Sequence, residues 1–185
     1  MLFKPNHSKN IWLSCLLLGT ATYSVSAQET FTKGPVIKDF GQNAAVEITS
    51  PLNKTADFHV SFDVAKAASP GKHSRGFNTP ARFLNMMVRH GVPQKNIKLA
   101  VVVHGGATVD VTNDAFYKTK KQSLNGNKKL IKALIDNGIR VIVCGQSSAA
   151  NGIQNKDLLP GVEMALSAIT AHASLKQEGY TVNPF

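Results

Sequence analysis

The residue whose type and position point most directly to chemistry is Cys144. It closes the run Arg140 to Val143 and is followed at once by Gly145. A short β-branched run closed by glycine predicts a buried strand of a parallel sheet. The thiol then lies at the carboxyl end of that strand, where open α/β sheets bind ligands. Two interpretations stay open at this point: a reactive thiol, or a small buried hydrophobic side chain.

A second apolar run ends in the same way and brings an imidazole to the same edge. Val101 to Val103 is followed by His104, Gly105 and Gly106. Because the carboxyl ends of parallel strands face one edge, His104 and Cys144 can be neighbours, and an imidazole there can take up the thiol proton or stabilise the thiolate. His104 can equally cap a strand or bond a carbonyl. The two glycines can cradle an anion, although a glycine pair more often marks a turn.

The residues after Cys144 offer hydrogen-bond donors to its sulfur. The segment 145–150 predicts a helical turn, whose N–H groups and partial positive charge would lower the pKa of the thiol. Gln146, Ser147 and Ser148 add polar groups that suit an anionic sulfur species. The predicted site is therefore Cys144 as the catalytic residue, His104, Gly145, Gln146 and Ser147 in support, and Gly105 and Gly106 as anion-binding residues.

Other kinds of site find little support in the sequence. The histidines lack the spacing of metal ligands, and there is no His-Glu-x-x-His run and no Gly-x-Ser-x-Gly elbow. We therefore predict no metal and no cofactor. Asp110 and Asp114 share a loop, where a pair of carboxylates is usually solvated surface. A cysteine hydrolase built on Cys144 and His104 lacks an evident third residue to orient the imidazole.

The N-terminus has the three-part layout of a secretory signal peptide. Lys4 and Lys9 precede an apolar core at 11–18, and small residues at 25–27 predict cleavage after Ala27. The core is too short to span a bilayer, although a membrane anchor or a buried helix is the alternative. Cleavage would remove Cys15, the only other cysteine. It would leave a periplasmic or secreted protein with one unpaired thiol and no membrane segment.

The charge of the chain is strongly positive. The formal net charge is +10, and loss of Lys4 and Lys9 lowers it to +8. Much of it is concentrated in one region: Lys118, Lys120, Lys121, Lys128, Lys129 and Lys132. In an exported domain we expect a solvated face rather than a nucleic-acid site, because no aromatic residues interleave these lysines.

The rest of the chain divides into an irregular segment, 28–56, and one α/β domain, 57–185. A short edge strand is predicted at 46–48 in the first part. The domain alternates strands and helices, which implies right-handed βαβ units around a parallel sheet. The predicted strands are Phe58–Val64, Lys98–Val103, Arg140–Cys144 and Tyr180–Val182. The predicted helices begin at an N-cap Thr79 with Pro80 first in the helix, at about Asn127 (ending near Asn137), and at about Pro160 (ending near Lys176). The last of these would bury Val162, Ala165, Leu166, Ile169 and Ala173.

The segments Val143–Ile153, Val103–Gly105 and Pro160–Val162 resemble the DsrE/DsrF-like family, over about 58–185. The resemblance implies a three-layer, flavodoxin-like α/β fold: a mostly parallel sheet with helices on both faces, assembled into trimers or hexamers. It also implies that Cys144 carries sulfur as a persulfide. Some relatives have a second cysteine where this chain has Ser147, so a disulfide within this site is ruled out.

Two functional hypotheses follow. The first is an exported sulfur carrier or sulfurtransferase-like protein that exchanges sulfur with a donor or acceptor protein through Cys144. The second is a non-catalytic module that binds a small anion, or an oligomeric scaffold, with Cys144 in a structural role.

Overall fold

The computed structural model describes residues 1–2 and 31–183. The predicted signal peptide, with Cys15, lies outside the described residues apart from residues 1–2. Among the described residues, no helix has both the length and the apolar character needed to cross a membrane.

The domain is built around a five-stranded sheet in which every neighbouring pair is parallel. The strands, in chain order, are β1 Phe31–Thr32, β2 Asn43–Ala44, β3 Phe58–Val64, β4 Ile97–Val103, β5 Arg140–Cys144, β6 Val162–Ala165 and β7 Thr181–Asn183. The helices are α1 Arg75–Arg89, α2 Asp114–Lys121, α3 Lys128–Asp136, α4 Gly145–Asn151 and α5 Ala168–Gln177. The order in the sheet is β6-β5-β4-β3-β7, and β1 and β2 form a separate antiparallel pair.

Two helical layers cover the sheet, which confirms the predicted three-layer α/β class. One face carries residues such as Phe62, Val101 and Val143, and it packs against α1 and α3. The other face carries Ala100, Val102 and Ile142 and packs against α5. The arrangement of layers is that of flavodoxin-like folds, but the strand order is not. Numbered 1 to 5 along the chain, the five strands lie in the order 4-3-2-1-5, whereas the order in flavodoxin is 2-1-3-4-5.

Helix α5 reaches from one edge of the sheet to the other. It leaves edge strand β6 and leads into β7 at the opposite edge. Because β6 ends at the carboxyl edge, the first turn of α5 lies at that edge as well. Ser167 begins the helix, and its Oγ accepts a hydrogen bond from the N–H of Thr170. The crossover thus brings the start of α5 to the strand ends that carry the candidate residues.

Three of the predicted elements are wrong. Helix α1 begins at Arg75 rather than beside Thr79, because Ser74 Oγ accepts from the Gly76 N–H and forms the cap; Pro80 lies inside the helix. The region predicted as one helix from Pro160 is strand β6 followed by α5. Its expected inward residues Leu166 and Ile169 are 72% and 83% exposed. The capping box at Ser167 sets the true start.

The strand predicted at 46–48 is also absent, and the short strand of this region is β2. The segment that contains β2 wraps helix α1. The buried side chain of Asn85 accepts from the N–H groups of Val36 and Ile37, and it donates to the carbonyls of Ile37, Phe40 and Gly41. Every polar atom of this amide is therefore paired, and it ties the wrapping segment to the core.

Candidate active site

Cys144 is both the last residue of β5 and the N-cap of α4. Its side chain is buried, with 5% of the residue exposed, and Sγ accepts a hydrogen bond from the Ser147 N–H at 3.4 Å. The helical turn predicted after the cysteine is present as α4. The sequence folds this way because the apolar run is followed by Gly145, which has no side chain to obstruct the start of the helix.

The surroundings of Sγ favour the thiolate. Burial alone would raise the pKa of the Cys144 thiol, but hydrogen bonds outweigh it and the pKa is lowered. The donors are the Ser147 hydroxyl and the backbone N–H groups of Ser147, Ala168 and Gln146. Three of these four donors come from α4, and the fourth is the N–H of Ala168, the first residue of α5. Since hydrogen bonds to the charged form stabilise it, this arrangement suits an anionic sulfur.

Gly145 permits the close packing beneath this turn. A Cβ atom at Gly145 would lie 2.7 Å from the Ala165 carbonyl oxygen and 3.1 Å from that of Leu166. Only glycine lets the start of α4 approach the β6–α5 connection so closely. The side chain of Gln146 is turned to the same connection, where Nε2 donates to the Leu166 carbonyl at 3.4 Å. The backbone N–H of Gln146, rather than its side-chain amide, therefore donates to the Cys144 sulfur.

Ser147 links the ends of β4 and β5. Its Oγ accepts from the Gly105 N–H at 3.1 Å, and its hydroxyl hydrogen is then free for the Cys144 sulfur. Gly105 has a φ of +54°, in the left-handed region, and a Cβ there would lie 3.3 Å from the Ala65 carbonyl oxygen. Anion binding by Gly105 and Gly106 stays a prediction, and the N–H of Gly105 is already donated to Ser147.

His104 follows the last residue of β4, next to the strand end that carries Cys144, but its imidazole is hydrogen-bonded to a different residue. Its Nε2 is 2.9 Å from Oδ2 of Asp63 on β3. The hydrogen bonds described for Cys144 come from α4 and α5 instead. His104 as a supporting residue stays a prediction, and the structure adds the carboxylate that orients it.

Asp63 and His172 are the site residues that sequence reasoning missed. The second oxygen of Asp63, Oδ1, is 2.9 Å from Nε2 of His172 on α5. Burial would raise the pKa of the Asp63 carboxyl, but the hydrogen bonds and charges of His104 and His172 lower it. The only available signal for Asp63 was its place as the one charged residue within an alternating strand. His172 gave no signal while the helix around it was wrongly placed.

Asp110 departs from the expectation of a solvated pair. The residue is fully buried, Oδ2 accepts from the Ala68 N–H at 2.7 Å, and Oδ1 has no hydrogen-bond partner among the described residues. Burial raises the pKa of Asp110 to about 6, against the lowering effects of the Ala68 N–H and the Lys121 charge. Asp114 lies in the first turn of α2 and pairs with Lys128.

Two further features surround the site. A cavity of about 380 Å³ adjoins Asp63, and its lining includes the basic residues Lys66, Lys72 and Arg75. Within the described part of the chain, no group of three or more histidine, cysteine, aspartate or glutamate side chains is arranged to hold a metal ion.

Comparisons with known proteins place the chain in a family. A search of curated proteins found no match. Two solved structures are similar: a protein of unknown function, MTH1491, from Methanobacterium thermoautotrophicum (17% identity, 69% of this chain and 98% of that chain, TM-score 0.47), and the ychN protein from E. coli (14% identity, 68% and 99%, TM-score 0.49). The model of the DsrE/DsrF-like family matches residues 60–184, which include every candidate site residue, four strands of the sheet in full and β3 from Val60 onward. The chain therefore belongs to the DsrE/DsrF-like family.

Proposed function

We propose that this protein is an exported sulfur carrier in which Cys144 holds a sulfane sulfur as a persulfide. The family is generally linked to sulfur relay, and Cys144 is the cysteine at the carboxyl edge of the sheet. The thiolate attacks the outer sulfur of a donor persulfide, forming Cys144–S–SH and releasing the donor as a thiol. In the transfer to an acceptor, the acceptor thiolate attacks the outer sulfur of Cys144–S–SH, the bond from Sγ to that sulfur breaks, and Cys144 is released as a thiol.

The observation that carries this proposal is the set of donors around Sγ. Hydrogen bonds from Ser147, Ala168 and Gln146 lower the pKa of the Cys144 thiol in spite of its burial. A low thiol pKa makes the sulfur both a ready nucleophile and a good leaving group, and a carrier needs both properties. A thiol that only fills space in the core does not need either property.

The test is intact-mass spectrometry after incubation with a polysulfide donor. We expect the protein to gain the mass of one sulfur atom, and dithiothreitol to remove it. Cys144→Ser should lose the adduct. Cys15→Ser is the matched control, because it removes the other thiol of the full chain and should keep the adduct. Absence of an adduct on Cys144 with every sulfane donor tried would refute the proposal.

The burial of Sγ favours a second candidate, a non-catalytic anion-binding module. In that case Cys144 is structural, with 5% of its surface exposed. The rate of alkylation by iodoacetamide as a function of pH separates the two. A carrier gives a midpoint below the ordinary thiol pKa of about 8.5, whereas a structural thiol resists alkylation in the folded state.

We further propose self-assembly into a trimer or hexamer. Support comes from the exposed apolar side chains Leu166, Ile169 and Val182, near the two edge strands. Light scattering should give a multiple of the chain mass, and Leu166→Lys should reduce it. A monomer at every concentration would contradict assembly.

Export rests on the layout of residues 1–27. N-terminal sequencing of the protein purified from a cell envelope fraction should begin at Gln28, and an intact Met1 there would contradict it.

A further inference from the structure

We propose that Asp63, His104 and His172 form a proton-accepting site that activates the acceptor thiol for sulfur transfer from Cys144. His104 is the general base, and the positioning residues are Asp63, which holds its ring, and His172, which holds the Asp63 carboxylate. The inference rests on the proposed sulfur-carrier function and extends it to the second half of the transfer. It makes a thiol, rather than water or an oxyanion, the partner of the persulfide.

The register of the sheet puts the base and the sulfur at the ends of neighbouring strands. Val103 of β4 pairs with Val143 of β5, so the next residues along the two chains are His104 and Cys144. Neighbouring strands lie about 4.8 Å apart, and residues paired in register point to the same face. That face is the one under α5, since Val102 and Ile142, two residues earlier in each strand, pack against that helix.

The carboxylate of Asp63 is shared by two imidazoles, one on each oxygen. Oδ2 pairs with Nε2 of His104 and Oδ1 with Nε2 of His172, both at 2.9 Å. A carboxylate accepts hydrogen bonds, so a neutral ring bonded to it carries its proton on Nε2 and leaves Nδ1 with a free lone pair. Among the described residues, no hydrogen bond is made by Nδ1 of His104. This nitrogen is available to accept a proton.

The carboxylate and the imidazole of this site are partly exposed to solvent, whereas the thiol of Cys144 is buried. The side chains of Asp63 and His104 are 40% and 32% exposed, whereas Cys144 is 5% exposed. The outer sulfur of a persulfide lies about 2 Å beyond Sγ, so it moves the point of attack away from the buried position. The exposed imidazole of His104 follows β4, next to the strand end that carries Cys144, so an acceptor can approach this sulfur past His104.

The step balances without an oxidant or reductant from elsewhere. The acceptor thiol R–SH gives its proton to Nδ1 of His104, and the thiolate attacks the outer sulfur of Cys144–S–SH. The new bond joins the acceptor sulfur to the outer sulfur, while the bond from Sγ to the outer sulfur breaks. Cys144 leaves as a thiolate held by its N–H donors, and the proton on His104 passes to Sγ or to solvent. The products are R–S–SH and free Cys144.

The experiment measures single-turnover transfer from the preformed persulfide to two acceptor thiols. One, 2-mercaptoethanesulfonate, is protonated at neutral pH; the other, 2-nitro-5-thiobenzoate, is already ionised. Wild type is compared with His104→Gln, Asp63→Asn and His172→Gln. His59→Gln is the matched control, because His59 lies on the same strand as Asp63 but at its opposite end. Persulfide stoichiometry and thermal unfolding are measured for each variant.

We expect His104→Gln to slow transfer to the protonated thiol about 100-fold or more, as loss of a general base does, and to leave transfer to the ionised thiol close to the wild-type rate. Asp63→Asn and His172→Gln should show the same contrast to a smaller degree, so the test does not depend on one variant folding. Equal slowing with both thiols indicates a structural role and overturns the inference. Wild-type rates in all three variants overturn it as well, while the sulfur-carrier function stands. A wild-type protein that loads no sulfur overturns both.

Discussion

The buried carboxyl of Asp110 predicts a specific dependence of stability on pH. Its pKa is raised from 3.8 to about 6, chiefly by burial, while the Ala68 N–H and the Lys121 charge act in the opposite direction. Because the folded carboxyl holds its proton more tightly than the unfolded one, the folded state binds more protons between about pH 4 and 6. The free energy of unfolding therefore falls as the pH rises through this range.

The size of this effect follows from the gap between the two pKa values. Each pH unit corresponds to about 1.4 kcal/mol, so the gap amounts to about 3 kcal/mol, taken as an upper bound. Asp110→Asn keeps an oxygen for the Ala68 N–H and removes the charge. It should therefore lose this part of the pH dependence, whatever constant cost the new amide group brings.

The assay is urea unfolding of wild type and Asp110→Asn at several values between pH 4 and pH 7.5. We expect the stability of the variant relative to wild type to rise by about 2–3 kcal/mol over the range. Asp114→Asn is the control: the hydrogen bond from Lys128 lowers the pKa of the Asp114 carboxyl, so its effect has the opposite sign and appears below about pH 4. A difference between wild type and Asp110→Asn that stays constant with pH would refute the reasoning.

Three other substitutions test the site and its support. Ser147→Ala removes a donor to the thiol at the end of β5 and should raise the pKa of that thiol, seen as a higher midpoint in alkylation against pH; an unchanged midpoint would count against the hydroxyl. Gly145→Ala forces a Cβ against two carbonyls and should lower the free energy of unfolding by about 1–3 kcal/mol, more than Gly138→Ala, where no atom lies within 4 Å and only the positive φ is strained. Asn85→Ala removes the partner of the Val36 and Ile37 N–H groups and of the Phe40 carbonyl, so it should cost about 2 kcal/mol in urea unfolding and speed proteolysis of residues 36–41; equal proteolysis in both proteins would show that other contacts hold this segment.

The sequence was most informative where a strand is buried on both faces. Ile97–Val103 and Arg140–Cys144 are almost wholly apolar, and both strands lie within a residue of their predicted bounds. It was least informative at the sheet edge. Strand β6 is half exposed and carries Glu163, whose side chain pairs with Arg140, so it shows neither an apolar run nor alternation. Pairing with β5, a contact distant in sequence, decides its structure.

The candidate site likewise has a part that the sequence could predict and a part that it could not. Cys144 and the turn after it could be predicted, because local order places a thiol between a buried strand and a glycine. The partner of His104 could not, since Asp63 is 41 residues away in sequence and reaches the imidazole only through the β3–β4 pairing. Asp110 was misjudged because a short helical turn at 105–111 carries it into the interior.

The strand register that packs the core also positions the candidate reactive side chains. Asp63 and Cys144 lie on β3 and β5, and His104 follows β4 between them; all three face the side of α5, while Val101 and Val103 are buried under α1 and α3. Because side chains alternate along a strand, a shift of one residue in β4 would turn the imidazole into the apolar layer under α1 and α3, away from Asp63 and His172. The cost of burying an unpaired imidazole in that layer therefore favours the register that keeps His104 on the side of α5. Packing on one face of the sheet thus specifies the arrangement of reactive groups on the other.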